Sequence, residues 1–171
     1  LNLVRPDGEM LFLSGTPGHA YEICSRGLGE FDGIISEDSY TNYEFYWWKD
    51  VSHKAYANEI EYIRNKVLSL HNGFMLVRNF DGFYLIYSYA LKQERSDATS
   101  LVVNNINNFL RMGDDAYMLL RDKYALYCGQ YTPPVITTFF PFIGGKPVNR
   151  GLQSVLPVNN KIILFPHSRK D

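Results

Sequence analysis

Four histidines (His19, His53, His71, His167), two cysteines (Cys24, Cys128) and two aspartates in aromatic company (Asp32, Asp50) could build a chemical site in this 171-residue sequence. A helical zinc site needs histidines four residues apart on one face, and these are not so paired; no set of cysteines and acids completes a ligand sphere around them. No metal is expected. Two cysteines are too few for a disulfide framework and lack metal-ligand spacing, which suits two buried thiols in a reducing cytoplasm. Ser14, Ser36 and Ser154 lack the flanking glycines of an esterase nucleophile elbow. A Cys–His pair could still assemble in space from either cysteine, so a small thiol enzyme stays open as one reading. Asp32 follows Phe31 in a glycine-flanked loop, and Asp50 follows Trp47 and Trp48. Each could close an Asx turn on its own backbone, or accept an N–H from a ligand in an apolar pocket.

The surroundings of these groups are unusually aromatic. Phe, Trp and Tyr make up 15% of the chain, with 13 tyrosines, whose apolar bodies and polar tips suit a wet pocket or an interface. Formal net charge is -1, so the chain has no basic footprint for nucleic acid. No apolar run approaches the roughly 20 residues that cross a bilayer. The length fits one domain with one core. The chain opens at Leu1 inside strand-like sequence and closes on the polar "PHSRKD", reading as a fragment of something longer.

The elements that must position the site follow from periodicity and punctuation. Pro6-Asp7-Gly8 is the turn of a first hairpin, Leu3-Val4 with Met10 to Leu13. Thr16-Pro17-Gly18 opens a short helix near His19 to Ser25, and Gly27, Gly29 and Gly33 mark a loop. "FYWW", Phe45 to Trp48, reads as a strand. From Lys54 to Leu70, Tyr56, Ile60, Ile63, Val67 and Leu70 form the stripe of an amphipathic helix, ended by His71-Asn72-Gly73. A second hairpin, Phe74 to Ala90, turns at Asp81-Gly82. Its second strand places Phe83, Leu85, Tyr87 and Tyr89 on one face and Tyr84, Ile86, Ser88 and Ala90 on the other. The smaller set suits packed helices, and the tyrosine-tipped set is expected to face a ligand. A long helix follows from Ser96 or Asp97, carrying Val102, Ile106, Phe109, Ala116, Leu120, Tyr124 and Tyr127, with Gly113 as its weak point. Beyond Gly129 a Pro- and Gly-rich apolar stretch predicts an irregular but docked segment, and "KIILF", Lys161 to Phe165, a last strand. Antiparallel strands with interspersed helices predict an α+β fold, an α-β-α sandwich around a central sheet of about five strands, PAS/GAF-like by analogy.

Taken together, "NLVRPDGEMLFLSGTPGHAYEIC", "EFYWWKDVSHKAYANEI", "GFMLVRNFDGFYLIYSYALK" and "VVNNINNFLRMGDDAYMLLRDKY" resemble the N-terminal sensor domain of LuxR-type transcription regulators, most of all the orphan branch. The similarity covers most of Leu3 to Cys128. It implies a sensing domain over residues 1–165, a homodimer, and a linker from 166–171 to a helix-turn-helix domain that this chain lacks. It implies a pocket between the sheet and a helix layer, with Trp48 from "FYWW", Asp32 from "EFDG", and Tyr87 or Tyr89 from the second hairpin. Phe31, Tyr46 and His19 complete the expected ligand-binding set. Where the acyl-homoserine-lactone receptors carry a Trp and a Tyr after the first hairpin, this chain has His19 and Ile23; after Asp32 it has Gly33 where they carry Pro. The expected ligand is therefore a small hydrophobic or amphipathic signal molecule other than a standard acyl-homoserine lactone. The reading is a non-enzymatic, cytoplasmic ligand sensor that needs no cofactor and contacts DNA only through the missing domain. Its alternatives are a sensor-like fold whose pocket is filled by its own aromatics and serves dimerisation, and the Cys–His enzyme.

Overall fold

The computed structural model describes residues 1–14 and 17–147, and the backbone of 162–164. Thr16, Ser154, His167 and the expected linker at 166–171 lie outside the described residues. The first hairpin pairs β1 (Asn2–Val4) with β2 (Met10–Phe12), Leu3 opposite Leu11. A helix α1 (Pro17–Ser25), a 3-10 turn (Gly29–Phe31) and a short helix α2 (Glu37–Asn42) lead to β3 (Phe45–Trp47). Then come α3 (Trp48–Val51), α4 (Ala57–Tyr62) and a π-helical turn (Ile63–Val67). The second hairpin is β4 (His71–Phe80) with β5 (Phe83–Leu91), followed by α5 (Ala98–Asn104) and α6 (Ile106–Ala125).

The sheet runs in the order β3-β4-β5-β1-β2, all antiparallel neighbours, and β6 (Ile162–Leu164) adds a parallel strand beside β2. The expected antiparallel core of five strands within an α+β sandwich is therefore present. Alternation assigns the faces. Leu3, Leu11, Phe74, Leu76, Leu85 and Tyr87 meet Val102, Leu110, Tyr117 and Tyr124 of α5 and α6. Val4, Met10, Tyr46, Met75, Val77 and Ile86 meet Ile34, Tyr40 and Trp48 from the other side. An outer cluster of Ile23, Leu28, Ile60 and Ile63 locks α1 to α4. Both faces of the second hairpin are thus covered by protein. Each fully buried Leu or Ile contributes roughly 1.5–3 kcal/mol.

Several elements depart from the sequence expectation, each for a local reason. Trp48 does not extend the strand; it starts α3. Glu37–Asn42, to which the sequence reading assigns no element, is helical because the Ser36 hydroxyl accepts from the Ser39 N–H at 3.3 Å and Glu37 and Asp38 sit in the first turn. The Lys54–Leu70 helix is shorter and changes type: Leu68 N–H donates to Ile63 O, five residues back, so Val67 turns to the surface. Ser69 (φ 51°) supplies its left-handed stop, while His71-Asn72-Gly73 belongs to β4 as a bulge, with Asn72 at φ 49°. The long helix breaks at Asn105, between α5 and α6, and not at Gly113. Asp97 occupies the N-cap position without capping, since its carboxylate accepts from Arg95 at 2.7–2.8 Å. Gly113 lies within α6 because a Cβ there would stand 2.1 Å from the Tyr87 ring. Residues 131–147 form the expected irregular, docked segment. Tyr117 donates to Pro134 O, Arg121 to Pro133 O, and Arg78 to Phe140 O.

Candidate functional site

Where β3 ends, Trp47 is still in the sheet and Trp48 turns under it as the first residue of α3. The indole lies flat against the start of β4, and Gly73 permits this approach: a Cβ at 73 would stand 2.1 Å from Trp48 Cδ2 and Cε3. On the helix side the His19 ring stacks on Trp48 at 5.1 Å with 14° between planes, and the Arg64 guanidinium lies 4.8 Å from the indole. A desolvated guanidinium on a Trp ring is a contact of roughly 2 kcal/mol.

Arg64 is the hub. It is buried, with Nη2 donating to Asp32 Oδ1, Nε to His19 Nε2 at 3.3 Å, and Nη1 toward Ser52 Oγ at 3.4 Å. Ser52 in turn donates to Trp48 O at 3.1 Å, which ties the hub to α3. Burial pushes His19 down to about 4, and the Arg64 charge pushes the same way. The imidazole is therefore neutral, and its Nε2 is a lone-pair acceptor for Arg64. Burial raises the Asp32 carboxyl and lowers the Arg64 guanidinium, and each partner's charge pulls the other back.

The backbone around this hub is strained in several places. Gly33 has φ +69°, and a Cβ there would stand 2.0 Å from Val51 O, so the Asp32 loop packs directly on α3. Proline holds φ near -65°, so it cannot occupy this position. The π turn that carries Arg64, the left-handed Ser69 and Asn72, and the β4 bulge follow one another between Ile63 and Phe74. Such conformations cost energy and gather at functional sites.

Beside the hub a cleft of about 220 Å³ opens, walled by Trp47, Trp48 and Arg64 and rimmed by Lys49, Glu61 and Glu94. Trp48 Nε1 is buried and has no hydrogen-bond partner among the described residues. An indole N–H is a donor only, and leaving one buried and unpaired costs roughly 1–3 kcal/mol.

The residues picked out by sequence divide into two groups. His19, Asp32 and Trp48 meet around Arg64. Tyr46 shares their face of the sheet, but its hydroxyl donates to Ile34 O at 2.7 Å, and burial raises its pKa. Phe31 stacks on Tyr56 at 4.1 Å, outside the cleft, and Asp50 is exposed on α3. Tyr87 and Tyr89 are on the opposite face. Tyr87 donates to Asp114 Oδ1 at 2.8 Å, and Tyr89 to Phe109 O at 2.7 Å. The tyrosine-tipped face expected to meet a ligand is therefore filled by α6, and the cleft belongs to the other side.

Arg64 was the residue sequence reasoning missed. Its signal was its place four residues after Ile60, on the stripe read as apolar, where a charge needs a buried partner. Among the described residues no three His, Cys, Asp or Glu side chains gather as a metal site. No hydrogen bond joins Cys24 or Cys128 to a histidine among them, and burial pushes the Cys128 thiol up to about 11. No helix of the described residues is long and apolar enough to cross a membrane. No protein-family model matches the chain, and comparison with curated proteins and with solved structures found no match.

Proposed function

We propose that this chain is the ligand-sensing domain of a LuxR-type transcription regulator, a cytoplasmic homodimer whose DNA contacts come from a separate helix-turn-helix domain. The observation that carries the reading is the buried, unpartnered Trp48 indole N–H at a cleft whose wall is fixed by the Arg64–Asp32 pair. A buried donor without an acceptor is a reason for a ligand to bind, because the ligand recovers the cost of the missing bond. Asp32 acts here through Arg64: it holds the guanidinium that holds the indole, and does not itself reach the cleft. Sensing is then a population shift, limited by the difference in the ligand's affinity for the two states of the dimer.

The closed α6 face favours a second reading, a sensor-like fold that serves dimerisation alone. One experiment separates them. In the full-length protein, DNA affinity is measured with and without small-molecule extract of the host cell, for the parent and for Trp48→Phe. The sensing reading expects a helix-turn-helix in that protein and an extract-dependent change in DNA affinity that Trp48→Phe reduces. Equal response in both proteins, or no helix-turn-helix, defeats it.

A further inference from the structure

The rim of the Trp48 cleft carries opposite charges that form no salt bridge among the described residues, although Glu61 accepts from Asn65 Nδ2 at 3.5 Å. Lys49 comes from α3, Glu61 from α4, and Glu94 from the connection between β5 and α5. Three separate elements thus bring one cation and two anions to the same opening. Among the described residues neither Lys49 nor Glu94 makes a salt bridge. Two residues that line the opening carry donors of their own. One is Trp48, with its unpartnered indole N–H, and the other is Arg64, whose described bonds engage three of the five N–H groups of a guanidinium.

An alkyl chain has no place to go. The Trp48 ring is already covered by His19 and Arg64, and Gly73 lies against its remaining surface. The far face of the sheet is filled by α6. At about 220 Å³ the cleft is also below the roughly 300 Å³ at which pockets for drug-sized ligands begin. A ligand that fits is small, and to gain from both kinds of rim charge it must carry both signs itself.

We propose that the cleft takes a small zwitterion of the α-amino-acid class, its carboxylate toward Lys49 and the Trp48 N–H and its ammonium toward Glu61 and Glu94. This rests on the sensing reading and replaces the hydrophobic or amphipathic signal expected from sequence. A carboxylate oxygen supplies the acceptor that the indole lacks, and charge-assisted bonds of this kind are about twice as strong as neutral ones.

The test is thermal unfolding of the intact protein with each of the free α-amino acids in turn, and with N-octanoyl homoserine lactone as the acyl-chain probe. At least one amino acid is expected to raise Tm saturably, by about 5–10 °C near a hundred times its Kd. Its decarboxylated amine and its deaminated acid should each lose most of that rise. Lys49→Ala and Glu94→Gln change exposed side chains, keep the basal Tm, and should each weaken binding about tenfold, the size of one charge-assisted contact. A rise that persists in both variants overturns the assignment. If only the octanoyl lactone raises Tm, and Trp48→Phe removes that rise, the zwitterion fails while sensing at Trp48 stands. If neither kind of probe moves Tm, the zwitterion assignment falls, and the sensing reading loses its small-molecule basis with it.

Discussion

Two buried arginine–aspartate pairs sit on opposite sides of the sheet, and their surroundings differ. On the α6 side Arg78 meets Asp114 in a two-pronged pair at 2.9 and 2.6 Å, and Tyr87 donates to the same carboxylate. The third arm of Arg78 reaches Phe140 O on the docked 131–147 segment. On the α1 side Arg64 makes a single-pronged pair with Asp32, and its other bonds are long contacts to His19 and Ser52. The first pair has its acceptors matched by donors on regular elements. The second lies between a π turn and a strained loop, beside an unpaired indole. One pair joins layers of the core, and the other supports a wall that faces a cleft.

Removing one partner from each pair should expose that difference. Asp114→Ala leaves Arg78 charged and buried and takes the acceptor from Tyr87, so a loss of roughly 3–5 kcal/mol is expected in urea unfolding at neutral pH. Arg64→Ala is expected to cost less, about 2–3 kcal/mol, because the orphaned Asp32 can take a proton and neutral carboxyls are cheaper to bury. With its folded pKa raised, Asp32 makes that variant relatively more stable in acid, and the benefit disappears as pH rises through the folded value. A pH-independent deficit in Arg64→Ala would remove the contrast.

His19 provides a second lever. Its pKa falls to about 4 on folding from an ordinary 6.5, so the unfolded chain binds more protons between those values. Stability should therefore rise with pH across that window, by on the order of 3 kcal/mol at about 1.4 kcal/mol per unit. His19→Gln should flatten the rise. The smallest effect expected is at Gly113 on the closed face. Alanine favours a helix by about 1 kcal/mol, but its Cβ would press into the buried Tyr87 ring, and the clash should win by roughly 1–2 kcal/mol. A stabilised Gly113→Ala would mean that α6 is less tightly seated than the contact implies.

How much of this was legible in the sequence depends on whether the signal was periodic. The two hairpins, the order of strands along the chain, the docked Pro-rich stretch and the last strand all followed from alternation and from Pro-Asp-Gly and Asp-Gly turns. The helix after Trp48 was legible only in its first half, since the π turn shifts the phase that the stripe was read in. Among the site residues, Asp32 was legible as an aspartate in a glycine-flanked loop, while Trp48 and His19 entered through the resemblance; the three meet around Arg64. Tyr87 and Tyr89 did not join them. Alternation shows which residues share a face, but which face faces helix is decided by distant contacts such as Gly113 with Tyr87. Arg64 was hidden because a cation on an apolar stripe is ordinarily a solvated exception, and its aspartate lies 32 residues earlier.

The π turn has one more consequence. A helix assigns each residue a direction by counting, about 100° per step, and everything downstream inherits that count. Between Ile63 and Val67 the count gains one residue. Ile60 and Ile63 before it are aligned to α1, while Leu70 after it is aligned to the sheet. Arg64 sits where the two alignments meet, so its direction is a property of the helix phase as much as of the side chain. Deleting Lys66 or Val67 would restore the ordinary count and rotate the residues that follow the turn relative to Arg64, without removing a residue that lines the cleft. The cleft is thus encoded partly in a length, which an insertion or deletion in the turn would change.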